Sequence, residues 1–462
     1  MCTVAPVMVR RLVSAPRAPL VLLAIVSVLS LGARSAALGE PCQSPCNTAN
    51  DHTLIFDEAY YVNAARVIAG IRPPPGAHYA DAPLGTDPNA EHPQGVKLIM
   101  AASIELFGDG PFAWRLGSLI FGSIAILGMY ALVRAAGGGP WSAVGAAALM
   151  ACDNLLLVHG RIGTLDIYTV AAMIWGVAFY LRGWRCRAAL ALAVAAAFKL
   201  VAPYAVLVLA LLEIARLITA RRQRGMPVSW RLKPALGRFL TCTLVGLAVF
   251  MGLLWIMGEI ATPYADATAT LITGGPIAHL EHMISYAAQQ VSPHGPQGIA
   301  SYPWEWLVDF KPIVYLQINP SLPGDGLYAI HPSSLFLGMI SPPIMLLAIP
   351  ALGFSAYRFV RLRRGGGAAA GVARADDVQM AVLGVAWFIG TWLPFELLSA
   401  IDSRTSYIYY MVIVMPGIYV ADTYLVSQAW RLGHKVVCGA ILAWTLSVVA
   451  AVVVMYPFNP VF

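Results

Sequence analysis

The feature that most constrains this chain is an alternation of long apolar runs with short segments that carry most of its positive charge. An α-helix needs ~20 residues to cross a bilayer. By that measure the apolar runs predict about 11 transmembrane helices. They lie near 18–36, 112–134, 141–158, 163–182, 186–199, 201–219, 236–258, 333–357, 378–397, 406–426 and 436–456. Around Lys199 to Pro203 a tight re-entrant turn is the alternative to a span boundary. Of the 462 residues, 59% are hydrophobic and 11% charged, whereas an average soluble domain carries about 25% charge. The expected fold class is therefore an all-α polytopic membrane protein.

The net charge of +7 could suggest a nucleic-acid partner, but its placement argues against one. Twenty-one of the 30 Lys and Arg fall in six segments: Arg10 to Arg17, Arg134, Arg182 to Arg187, Arg216 to Arg238, Arg358 to Arg374, and Arg431 to Lys435. These alternate with the apolar runs and read as cytoplasmic loops under the positive-inside rule. The N-terminus is then expected inside and the stretch FDEAYY (56–61) outside. The first apolar run has the features of a signal peptide, but an uncleaved first span is the preferred reading because many spans follow. Cys42 and Cys46 lie close together on the outer side, as a disulfide or as two free thiols.

Two outer loops are long, about 37–111 and about 259–332. The first holds AYYVNAARVIAGI and GVKLIMAASIELFG, the second GGPIAHLEHMISYAAQQV. All three predict short helices, those of the first loop lying in the membrane interface. No Walker-A loop, GxGxxG element or soluble domain stands out, so residues 1–462 read as one integral-membrane unit. The halves do not resemble each other, as those of an inverted-repeat transporter would.

The other nine cations are Arg34, Arg66, Arg72, Lys97, Arg115, Arg161, Lys199, Lys311 and Arg404, all on the outer side or at outer span ends. A charge at mid-bilayer costs about 2.5–3.5 kcal/mol on insertion scales, so such residues are expected to pair. Asp57, Glu58, Glu91, Asp166 and Asp402 are the outer acids on offer. Acids and bases from distant junctions are expected to meet in one membrane-facing cavity. A lipid-linked phosphate needs cations at headgroup depth, and a hydroxyl nucleophile needs a carboxylate base. A sugar carried on a lipid phosphate and attacked by a hydroxyl needs both.

Several stretches, in order, resemble the protein O-mannosyltransferases, polyprenyl-phosphate-mannose-dependent enzymes of the GT-C class. These are FDEAYYVNAARVIAG, EHPQGVKLIMAASIELFGDGPFAWRLGSLIFGS, DNLLLVHGRIGTLD, AAFKLVAPYAVL, SYPWEWLVDFKPIVY and SRTSYIYYMVIVMPGIYV. The resemblance implies a GT-C-like bundle with Asp57 as the catalytic aspartate and Glu58 as its acceptor-side partner. It implies donor-phosphate contacts from Arg115, Lys97, Arg404 and Lys199, with His92, Arg161 and Asp166 in support. HPQGVK lacks the family's second Pro and displaces its Gly by one position, so the turn at His92 departs from the pattern. The second loop is too short for the β-trefoil of the fungal and animal enzymes, which implies the bacterial type.

The implied activity is inverting transfer of a sugar, mannose above others, from a polyprenyl-phosphate carrier to Ser or Thr hydroxyls of exported proteins. The expected setting is the outer face of a bacterial plasma membrane. A lipid or polysaccharide acceptor is the first alternative, and a lipid or solute transporter the second. The partners are the lipid-linked donor, the exported acceptor and membrane lipids. No metal or cofactor is required, although an acidic site leaves room for a loosely held divalent ion. His279, Glu281 and His282 read as a surface helix rather than a metal site. Other readings stand beside the site residues: helix-dipole acids for Asp57 and Glu58, headgroup contacts for the cations, and a plain ion pair for Arg161 and Asp166.

Overall fold

In the computed structural model, which describes residues 16–223, 228–364 and 371–459, helices dominate. The basic residues Arg10, Arg11 and Arg224 lie outside the described residues. Seven described helices are long and apolar enough to cross a membrane. The labels used below are α1 (Ala18–Ser35), α2 (Glu58–Ile68), α3 (Gly95–Phe107), α4 (Pro111–Ala135), α5 (Pro140–Cys152) and α6 (Asn154–His159). They continue with α7 (Asp166–Leu181), α8 (Arg185–Phe198), α9 (Tyr204–Gln223), α10 (Val228–Ile260) and α11 (Gly275–Gln289). The last are α12 (Pro342–Arg364), α13 (Gly371–Asp402), α14 (Met411–Arg431) and α15 (Lys435–Val454).

The core of the bundle is built on small residues. The helix α8, RCRAALALAVAAAF, packs against α7 and α10 with Ala188, Ala189, Ala193 and Ala195 buried. Small side chains let helix backbones approach closely where lipid offers no hydrophobic drive for association. The crossing of α13 and α14 depends on the same device. A Cβ on Gly417 would sit 2.8 Å from the backbone nitrogen of Phe388, so Gly417 has no room for a side chain, and one on the facing Gly384 would press on Gly417 O at 3.0 Å. Helix α14 is central, with 78% of its apolar window buried, and α15 peripheral, with 11%.

Of the eleven expected spans, those at 141–158, 163–182, 186–199 and 201–219 are not among the seven described helices long and apolar enough to cross. Two of the expected spans also change course within the run. The 141–158 run breaks at Asp153, whose carboxylate accepts from Leu155 N and Ser341 N, both 3.1 Å, and from the Tyr419 hydroxyl. Asp153 is thus the N-cap of α6, and a satisfied cap starts a new helix instead of extending the old one. The 333–357 run begins as a strand, Ser334–Gly338, antiparallel to Ile313–Ile318. Its helix starts only at Pro342, a favoured first helical position.

Helices form at the three loop positions expected. The first helix of the first loop, α2, is buried on all sides from Tyr61 to Val67 and packs beside α3, whereas α3 buries one face and packs beside α4. The uncertain boundary at Lys199 is a turn spanning 199–203 between α8 and α9.

Candidate active site

The local structure around FDE begins with a turn. Phe56 takes a left-handed conformation, φ 56°, unfavourable for a bulky residue. Its ring is held by stacking on Tyr315, centroids 4.1 Å apart, and by an edge contact with Tyr409 at 5.5 Å. Asp57 is the N-cap of α2 and Glu58 its first residue. Neighbours in sequence, the two acids end up in different surroundings.

Glu58 is fully buried. Arg115 grips it at two points, Nε to Oε1 at 2.8 Å and Nη2 to Oε2 at 2.7 Å. Ile55 N and Gly163 N donate to the same carboxylate at 2.8 and 2.7 Å. Arg115 also donates to the carbonyls of Leu38, Glu40 and Thr53. This cluster ties the segment before α2 to α4 and to the turn before α7.

Asp57 faces a cavity of about 950 Å³. The carboxylates lining it are Asp57, Glu91 and Asp402, and the cations are Lys199 and Arg404. Tyrosines 61, 286 and 410 and the apolar Met283 and Phe395 fill in the wall. No hydrogen bond is made to the Asp57 carboxylate among the described residues. Burial pushes its pKa up to about 7; Lys199 opposes that rise and Asp166 adds to it.

Lys199 pairs with Asp166 at 2.6 Å and lies over the rings of Tyr409 and Tyr410, 5.2 and 5.3 Å from their centroids. Behind it, His159 reaches Thr164 Oγ1 at 3.1 Å and Tyr315 Oη at 2.8 Å. Arg404 donates to Ala287 O, at the end of α11. Its loop is stitched to the loop after α11 by Ser292 N to Ser403 O at 2.7 Å and Thr405 N to Gln290 O at 2.9 Å. His92 lines the cavity, its pKa held well below the ordinary value by burial and by the neighbouring cations Lys199, Lys97 and Arg404.

The expected convergence is therefore partial. Asp57, His92, Lys199 and Arg404 share the cavity, and Asp166 stands behind Lys199. Glu58, Arg115, Lys97 and Arg161 do not line it. Lys97 is buried against Asp87 at 2.6 Å and also donates to the carbonyls of Asn89 and His92. Arg161 bonds to Ala36 O at 3.0 Å and lies over the Phe458 ring at 4.9 Å, joining the end of α1 to the C-terminal segment. Each is a cation whose burial is compensated by carbonyls or a carboxylate. The cavity tyrosines were missed as site residues: a Tyr among many apolar neighbours carries no positional signal until the fold gathers them.

Cys42 and Cys46, left open by the sequence, form a disulfide with Cα atoms 5.6 Å apart. With His52 they make the one His/Cys/acid group close enough to hold a metal among the described residues. Sulfurs joined to each other are not thiolates, so this group does not fit a metal. His279 is buried, its Nε2 2.9 Å from Ala90 O.

The family described as dolichyl-phosphate-mannose-protein mannosyltransferase matches residues 91–257. A polyprenol-phosphate-mannose–protein mannosyltransferase of Corynebacterium glutamicum is 25% identical, covering 95% of this chain and 89% of that one. Its namesake from Mycolicibacterium smegmatis is 24% identical over 393 residues, 73% of this chain and 71% of that one. Among solved structures, the Saccharomyces cerevisiae Pmt1–Pmt2 protein O-mannosyltransferase complex bound to the sugar donor superposes with a TM-score of 0.71 at 12% identity. That match covers 96% of this chain and 90% of that one. ArnT from Cupriavidus metallidurans bound to undecaprenyl phosphate gives a TM-score of 0.51 at 16% identity, covering 93% and 64%. At such identities the structural matches speak for the fold, which is that of the GT-C membrane glycosyltransferases. The resemblance read from the motifs is borne out, and with it the enzyme class.

Proposed function

We infer that this protein O-mannosyltransferase-like enzyme moves a mannosyl group from a polyprenyl-phosphate carrier to Ser or Thr hydroxyls of exported proteins. The observation that carries the reading is Asp57: a carboxylate with no hydrogen bond among the described residues, facing a cavity that also holds Lys199 and Arg404. Burial raises its affinity for a proton into the range a general base needs near neutral pH.

In this reading the acceptor hydroxyl gives its proton to Asp57 as its oxygen bonds to the anomeric carbon. The bond from that carbon to the phosphate oxygen breaks, and the polyprenyl phosphate leaves with the electron pair. Attack from the face opposite the phosphate inverts the anomeric centre. Arg404, with Lys199 on the wall of the same cavity, steadies the charge that grows on the departing phosphate. These fixed cations do the work often given to a divalent ion, and no resident metal is assigned. Arg115 and Lys97, expected at the phosphate, are instead supports: one fixes the chain entering α2, the other the loop leading to His92.

The relatives' names support the donor and the protein acceptor. The cavity is assigned to the outer face of a plasma membrane, with the N-terminus in the cytoplasm, on the charge pattern of the loops. The test is transfer of labelled mannose from polyprenyl-phosphate-mannose to Ser/Thr-rich segments of exported proteins by the purified protein. Asp57→Asn is expected to lower the rate by about 10²–10⁴-fold. Undiminished transfer in that variant removes Asp57 from the mechanism. Label on a lipid or polysaccharide, with none on protein, moves the acceptor to that class.

A further inference from the structure

The loop from Asp87 to His92 is held with unusual firmness. Lys97 pins it from one side, donating to Asp87, to Asn89 O and to His92 O at 3.0 Å. From another side His279 of α11 meets Ala90 O at 2.9 Å. Between those fixed carbonyls stands Glu91, whose side chain lines the same cavity as Asp57. One amide orients it: Asn89 Nδ2 donates to Glu91 Oε2 at 3.1 Å and to the Tyr79 hydroxyl at 3.0 Å. Asn89 Oδ1 is buried with no hydrogen-bond partner among the described residues.

The proposed mechanism gives this strip no task. Yet Glu91 accepts one side-chain hydrogen bond among the described residues, from Asn89, and a carboxylate has room for several more. A carboxylate accepts hydrogen bonds from two adjacent hydroxyls, which is the chemistry of a sugar ring. If the anomeric carbon lies at Asp57 and the phosphate at Arg404, the other ring hydroxyls must fall on nearby polar wall. Among the cavity's carboxylates, Asp402 is exposed and Asp57 is engaged as base, which leaves Glu91 on the enclosed wall.

We propose that Glu91, oriented by Asn89 on a loop pinned by Lys97 and His279, reads the ring hydroxyls of the transferred sugar and so sets which sugar is accepted. The assignment rests on the sugar-transfer reading above. Rigid support of this kind is what a specificity contact needs, since a loosely held carboxylate would adapt to any hydroxyl pattern.

The test uses the purified full chain, polyprenyl-phosphate-mannose, and analogues lacking single ring hydroxyls. Glu91→Gln keeps the shape and the bond from Asn89, and its folding is checked by thermal unfolding against wild type. The expected result is a donor KM raised about 10–100-fold, the loss typical of a charge-assisted hydrogen bond, with kcat and acceptor KM little changed. For one analogue, wild type should lose about as much as the variant loses with mannose, and the variant should lose little more. Overturning results are an unchanged donor KM, a rise in acceptor KM instead, or equal losses with every analogue in both proteins. Wild type that transfers no mannose at all overturns the underlying function; wild type and Glu91→Gln transferring alike overturns only this contact.

Discussion

Arg115 and Glu58 are joined at two points, 2.8 and 2.7 Å, in a pocket sealed from solvent one residue from the cavity-facing Asp57. That relationship assigns the two acids of FDE different tasks. One is spent on structure, and the other is kept free by it.

The first prediction concerns that pair. Removing one member of a buried ion pair strands the other charge and typically costs about 3–5 kcal/mol. Arg115→Leu and Glu58→Ala should both lower the melting temperature sharply, whereas Asp57→Asn should not. Thermal unfolding in detergent reads this directly. A Glu58→Ala protein that melts like wild type but no longer binds acceptor returns Glu58 to the substrate.

The second prediction is a pH profile. Asp57 must be ionised to take a proton, and its pKa stands near 7, above the ordinary carboxylate value. The rate should climb as pH rises through about 7 and then level off. Stability should run the other way. A carboxyl whose pKa is raised on folding favours the folded state while protonated, and that contribution fades as pH rises from the unfolded value through 7. At pH 8 Asp57→Asn should therefore be at least as stable as wild type. A rate profile flat from pH 5 to 8, with chemistry limiting, would remove Asp57 as the base.

The third prediction separates two tasks for Lys97. Lys97→Met leaves Asp87 buried without its cation and should destabilise by about 3–5 kcal/mol. Adding Asp87→Asn should restore much of that loss, since the coupling of a contacting pair shows in a double-mutant cycle. A double variant that folds but cannot bind a polyprenyl phosphate would put Lys97 at the donor after all.

The fourth prediction tests the phosphate cation. Arg404→Gln should raise the donor KM by about 10-fold or more, the worth of a charge-assisted contact. Acceptor KM should stay within a factor of about three, inside the scatter of single-contact energies. Arg404→Lys should recover part of the loss. Equal effects on donor and acceptor would mean that the loops after α11 and α13 have come apart and no phosphate contact was measured.

Much of this architecture was legible in the order of the residues. Apolar runs placed helices at the expected positions because water and lipid sort side chains by transfer free energy, a property each segment carries with it. The exceptions are instructive. Asp153 interrupts an apolar run because Ser341 and Tyr419, far away in sequence, come to satisfy it. Residues 334–338 are apolar enough to begin a helix but pair with Ile313–Ile318 as a strand. Neither partner can be read from the local composition.

The residue order alone determined that this is a polytopic membrane protein and which ionisable side chains had to find partners. It could not decide which partner each would find. Asp57 and Glu58 are adjacent and chemically alike, yet Glu58 meets Arg115 and the Gly163 amide, 57 and 105 positions on, while Asp57 meets open cavity. Whether a charge is a strut or a reagent depends on what is packed against it, and that is decided by contacts between segments that the chain brings together only when it folds.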